Sequence, residues 1–159
     1  MRLILTGVLA LPMFAQGPFT EAVTAAYERV KLNLVETAAA MPEEYYEFRL
    51  SPQQRRFSEW LTHTAMGNYS FCAAIRGTQA PSDTHTADAA KGKAEISAAL
   101  KASFDYCDAA LKEASDQKTP ARPMISLIAS LNEHYGNLVG YLRAKGVVPP
   151  SSARASKKK

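Results

Sequence analysis

The chain has 159 residues, 47% hydrophobic and 21% charged, with 8 Gly, 9 Pro and 2 Cys, a globular composition that excludes collagen-like, low-complexity and disulfide-scaffold classes. Its formal net charge is +4, but setting aside Arg2, Arg154, Lys157, Lys158 and Lys159 leaves 14 of the 19 basic residues against 15 acidic ones. A neutral body of single-domain length lacks the clustered Lys and Arg of a nucleic-acid face, so no nucleic-acid partner is expected.

Residues 1–17 read MRLILTGVLALPMFAQG: one Arg, an apolar run over residues 3–14, then the small residue Ala15. This is the pattern of a secretory signal peptide over residues 1–15, cleaved after Ala15, although Met13 is bulky for the third position before the cut. The run is too short to span a bilayer, which takes roughly 20 apolar residues. The expected location is therefore periplasmic or secreted, with no stable membrane insertion after cleavage. The alternative is a hydrophobic helix kept in the mature fold.

Helical spacing of apolar residues dominates the remainder. Thr20 and the Glu21-Ala22-Val23 that follows predict a capped first helix to about Met41, with Val23, Tyr27, Val30, Leu34 and Val35 on one face. Pro42 ends it. Ser51-Pro52-Gln53-Gln54 reads as a capping box with Pro at the first helical position. A second helix is expected from there to Arg76, where Gly77 stops it. Its apolar face carries Phe57, Trp60, Leu61, Thr64, Phe71, Cys72 and Ile75. Residues 77–90 read as a loop. The third helix has the stripe Ile96, Leu100, Phe104, Cys107 and Leu111, and Lys118-Thr119-Pro120 breaks it. Pro123 opens the fourth, with Met124, Leu127, Ile128, Leu131, Tyr135, Leu138 and Leu142 inward, ending before Gly146. Four such faces bury against one another as an all-α four-helix bundle over residues 18–152. Residues 153–159, rich in Ser, Ala and Lys, read as a disordered basic tail.

Cys72 and Cys107 both fall on core stripes. In a cytosolic protein they read as two buried thiols; in an exported one, as a pair. Pairing across antiparallel helices joined by a tight turn would leave the sulfurs roughly 15 Å apart in height. Parallel helices bring them level, if the 77–90 loop crosses over the length of a helix. Its fourteen residues reach at most roughly 46–50 Å, enough for a helix of about 36 Å.

Of the three His, His85 lies in the loop and reads as solvated. His63 and His134 each fall near the middle of a predicted helix. Bundle interiors are where facing side chains build metal sites, and imidazole suits zinc, iron, nickel or copper. Core-edge histidines held by a hydrogen bond are the plainer reading of the same two residues. No GxSxG, HExxH, CxxC, phosphate-binding Gly loop or Rossmann fingerprint is present. Tyr45, Tyr46 and Phe48 read as a cap on one end of the core.

The stretch Glu133-His134-Tyr135-Gly136-Asn137-Leu138-Val139, running on through Tyr141-Leu142-Arg143 to Pro149-Pro150, resembles the closing helix of the DinB/YfiT-like family. So do Leu61-Thr62-His63, Asn68-Tyr69 and Cys72, and Ser103-Phe104 with Tyr106-Cys107-Asp108. The resemblance covers about residues 20–152. It implies an up-down-down-up four-helix bundle with a crossover between helices 2 and 3. It also implies a divalent metal (zinc, nickel or iron) held by three His, one from helix 2 and two spaced i, i+4 on helix 4. His63 and His134 match two of these positions; the third is Ser130. A hydroxyl is a poor ligand, and catalytic sites usually keep three protein ligands, so the expectation is a weak, degenerate metal site with no assignable catalytic activity. An active metal-dependent enzyme, such as a thiol-linked transferase, is the alternative. A small-molecule partner and a homodimer are both compatible with such a bundle.

Overall fold

The computed structural model of the chain describes residues 16–82 and 89–157. The signal-peptide expectation (residues 1–15), His85 and the last two lysines therefore lie outside the described residues. Those described form five α-helices and one short 3-10 turn, with no strand among them: α1 Pro18–Ala40, the turn Glu43–Tyr45, α2 Phe57–Arg76, α3 Gly92–Glu113, α4 Ala121–Ala144 and α5 Pro150–Ser156.

The predicted stripes are the core. Tyr27, Leu34, Phe57, Leu61, Leu100, Phe104, Cys107, Leu127, Leu131, Leu138 and Leu142 are all buried. Burying a Leu- or Phe-sized side chain is worth about 1.5–3 kcal/mol, so four such faces dictate mutual packing. Val35 departs from its predicted face and is exposed.

α2 packs most extensively on α3. Asn68 donates to Ser103 Oγ at 3.0 Å, Cys72 is disulfide-bonded to Cys107 with Cα atoms 5.2 Å apart, and Arg76 pairs with Glu113 at 3.1 Å. Residue numbers rise together along the two helices. The disulfide fits an oxidising compartment, and no helix among the described residues is long and apolar enough to cross a membrane.

Three expectations need correction. Ser51-Pro52-Gln53-Gln54 does not start α2. It is a turn closed by the Gln54 N–H donating to the Ser51 carbonyl at 3.1 Å, with Pro at the second position, where its fixed φ suits a turn as well as a first helical residue. α2 begins at Phe57 instead, where Phe57 and Ser58 N–H donate to the Phe48 and Tyr46 carbonyls and the Glu59 carboxylate accepts the Arg56 N–H. Thr20 does not cap α1. The helix starts earlier, at Pro18, and its free N–H groups are met by Asp116 from the α3–α4 connection, which accepts from Phe19 and Thr20. Nor do residues 153–156 of the expected tail lack structure. Residues 150–156 are the helix α5, held to α1 by Arg154, whose guanidinium donates to the Glu36 carboxylate and the Asn33 side-chain carbonyl. A basic terminal run reads as solvated only until a buried acceptor is found for one of its charges.

Tyr46 caps the end of the core as expected. It is buried, donates to the Ala38 carbonyl at 2.7 Å and packs edge-on against Phe57 at 5.1 Å between centroids. Tyr45 and Phe48 also hold a charge, since Lys145 Nζ lies 4.7 and 3.7 Å from their ring centroids.

Candidate functional site

The two helical histidines meet where α2 faces α4. Thr64 touches His134 and Trp60 touches Tyr141, so numbers fall along α4 as they rise along α2. With α2 starting at Phe57, His63 is its seventh residue and His134 the fourteenth of α4. Opposed directions bring two such positions level. The imidazole centroids of His63 and His134 are 5.1 Å apart, and the Trp60 indole lies 5.4 Å from His134 and 6.3 Å from His63. Trp60 is itself fixed: its Nε1–H donates to Tyr141 Oη at 3.2 Å, and the Tyr141 hydroxyl donates to the Arg55 carbonyl.

Hydrogen bonding assigns the His134 tautomer. The Thr64 hydroxyl donates to the Trp60 carbonyl at 2.7 Å, so its oxygen is left to accept from His134 Nδ1–H at 3.1 Å. A proton on Nδ1 leaves Nε2 with its lone pair. Ser130 Oγ stands 3.5 Å from that Nε2, at the outer limit of a hydrogen bond. All three residues singled out in the sequence are therefore in one place: His63 and His134 face each other, and Ser130 is one turn below His134, nearest its free nitrogen.

The electrostatics keep both rings neutral at pH 7. His134 is buried, which pushes its pKa from 6.5 down to about 4. His63 pushes it the same way, Glu133 opposes, and Arg55 adds a smaller depression. His63 is also lowered, by burial and then by Arg55, against Glu133. A neutral imidazole is the ligating form, and a His whose second nitrogen is held by a protein acceptor is the usual arrangement of a metal ligand.

The donor set is nevertheless short. Among the described residues no three or more His, Cys, Asp or Glu converge, and Glu133 is exposed one residue before His134. Two imidazoles and a hydroxyl, near the Arg55 charge, are one strong ligand short of a three-ligand centre.

Trp60 and Thr64 count in the sequence only as members of the apolar face, and Arg55 carries no sequence signal of its own. The i, i+4 spacing of Trp60 and Thr64 is the one available clue, because a helical Thr can donate back to the carbonyl four residues before it. Its partner His134 lies 70 positions away. Compared with known proteins, the chain matches no protein-family model and no curated protein.

Proposed function

We propose that the chain is an exported four-helix bundle similar to the DinB/YfiT-like proteins, with an up-down-down-up path, whose divalent-metal site has degenerated to His63 and His134. It serves as a binding protein with no catalytic activity assignable to it. The path is supported by the order of contacts. Residue numbers rise together across α2 and α3, and fall against one another across α2 and α4 and across α1 and α3, where Thr20 meets Asp116 and Tyr27 meets Asp108. The disulfide and the apolar run at residues 3–14 support export through a signal peptide.

The observation that carries the reading is the place of Ser130. Its hydroxyl is 3.5 Å from the lone-pair nitrogen of His134, beside the second imidazole, where the resemblance expects a third histidine. Zinc, nickel or iron held there would have two strong ligands from this chain.

The test is the metal content of the chain purified without chelator, alongside Ser130→His and the double variant His63→Ala, His134→Ala. The reading expects substoichiometric metal in the native chain, about one zinc or nickel per chain in Ser130→His, and none in the double variant. Ser130→His that gains no metal while keeping its fold would overturn it.

A further inference from the structure

Beside the histidine pair lies a cavity of about 520 Å³, lined by Gln53, Arg55, Glu59, Thr62, His63 and Met66. Its charges are unequal in a way that the metal reading does not use. Glu59, the carboxylate in the lining, is already engaged: it accepts the Arg56 backbone N–H and lies 3.6 Å from the Arg49 guanidinium and 3.7 Å from that of Arg56. Arg55 has no carboxylate partner among the described residues. Its guanidinium instead lies over the Trp60 indole, 5.2 Å from the ring centroid, and its backbone is fixed by the hydrogen bond from Tyr141 to its carbonyl. His63, next in the lining, makes ring contacts with Trp60 and His134 and no hydrogen bond to any described residue.

We infer that Arg55, lying over Trp60, and His63 form a binding site for a small organic carboxylate. A guanidinium that lies over an aromatic ring and has no carboxylate partner keeps its N–H groups available for a planar carboxylate, which it can receive with two parallel hydrogen bonds. His63 supplies a further N–H, and Met66 supplies apolar surface for the carbon skeleton of the ligand. The Glu59 carboxylate of the lining is already paired with Arg49 and Arg56, which leaves Arg55 as the charged group available to an anionic ligand. The inference deepens the binding-protein reading, on which it rests, but requires no metal.

Trp60 is the single tryptophan of the chain and Arg55 lies over its ring, so its intrinsic fluorescence responds to a ligand that engages Arg55. The experiment titrates succinate into chelator-treated full-length protein at constant ionic strength, with succinamide as the uncharged control. A saturable change with succinate and none with succinamide is expected. Arg55→Gln should weaken the midpoint at least about tenfold, or about 1.4 kcal/mol. Arg55→Lys, which keeps the charge but loses the fork, should fall between. Because the Arg55 side chain is exposed, both variants keep the fold, which circular dichroism checks. No saturable response, an equal response to succinamide, or an unchanged midpoint in Arg55→Gln would each overturn the site. None of these bears on the metal reading, whose readout is the metal content of Ser130→His.

Discussion

Thr64 Oγ1 lies 3.1 Å from His134 Nδ1 while donating its own proton to the Trp60 carbonyl at 2.7 Å. One hydroxyl thus ties the helix backbone of α2 to the tautomer of a buried ring on α4. Thr64→Val keeps the shape and removes the acceptor, leaving a buried Nδ1–H without a partner. The expected cost is about 1–3 kcal/mol of stability, with the ring free to move its proton to Nε2. Chemical denaturation and the imidazole nitrogen shifts of His134 would check both parts. Thr64→Ser should restore the tautomer, and a Val variant with unchanged nitrogen shifts would show that the hydroxyl does not set it.

The depressed pKa of His134 makes a signed prediction. An unfolded His takes up a proton near pH 6.5, whereas the folded ring resists it until about pH 4. Between those values the unfolded state binds the extra proton, so stability falls as the pH drops through that window and levels off below it. The size is on the order of 3 kcal/mol, at about 1.36 kcal/mol for each tenfold loss of proton affinity on folding. His63 is displaced in the same direction and adds to the slope. Urea midpoints at about pH 7 and about pH 4.5 should differ clearly in the native chain and less in His134→Gln. Parallel pH slopes in the two proteins would contradict the buried neutral imidazole.

The elements that could be read in the sequence are those whose partners are local. The α3 stripe of Ile96, Leu100, Phe104, Cys107 and Leu111 is wholly buried, because helical periodicity alone decides which face a helix buries. The mid-helix positions of His63 and His134 likewise suggest that the two rings lie at one height, and they are 5.1 Å apart. What could not be read depends on groups far along the chain. Ser51-Pro52 is chemically suited to a turn and to a helix start, and the choice falls to the carbonyls of Tyr46 and Phe48, which take up the first N–H groups of α2. Asp116 caps a helix that begins 98 positions earlier, at Pro18. Arg154 leaves a run that looks solvated because Glu36 and Asn33 wait on α1. Arg55 looks like one basic residue among several until Trp60 is found beneath it.

The disulfide should act on stability more than on shape. Cys72 and Cys107 are buried and 35 positions apart, and closing a loop of that length is worth about 4 kcal/mol in the chain-entropy treatment. Asn68–Ser103 and Arg76–Glu113 hold the same two helices on either side of it. Reduced protein, or the Cys72→Ala, Cys107→Ala variant, is therefore expected to unfold at lower denaturant with native helix content before the transition. Thiol titration of the oxidised chain, unfolded without reductant, should find no free thiol. A reduced chain with an unchanged midpoint would remove the stabilising role.

Gly17 and Asp116 allow a coupled test of how α1 begins. Gly17 has φ +93° and ψ 158°, a backbone region essentially reserved for glycine, and a Cβ there would lie 2.5 Å from the Asp116 carboxyl group. That carboxylate accepts from the Thr20 hydroxyl at 2.7 Å, the Thr20 N–H at 2.8 Å and the Phe19 N–H at 3.1 Å. These bonds, led by the Thr20 hydroxyl, hold its pKa below the ordinary 3.8. Its stabilising effect is therefore complete above about pH 4 and lost as the pH falls through the lower folded value. Asp116→Ala should speed amide exchange in the first turn of α1 and flatten the acid limb of the stability curve below that pH. Gly17→Ala should do the same and add backbone strain, because the new methyl displaces the carboxylate. Since each change disrupts the same contact, the double variant should lose less stability than the sum of the singles. Strict additivity would mean that the two residues do not act through one another.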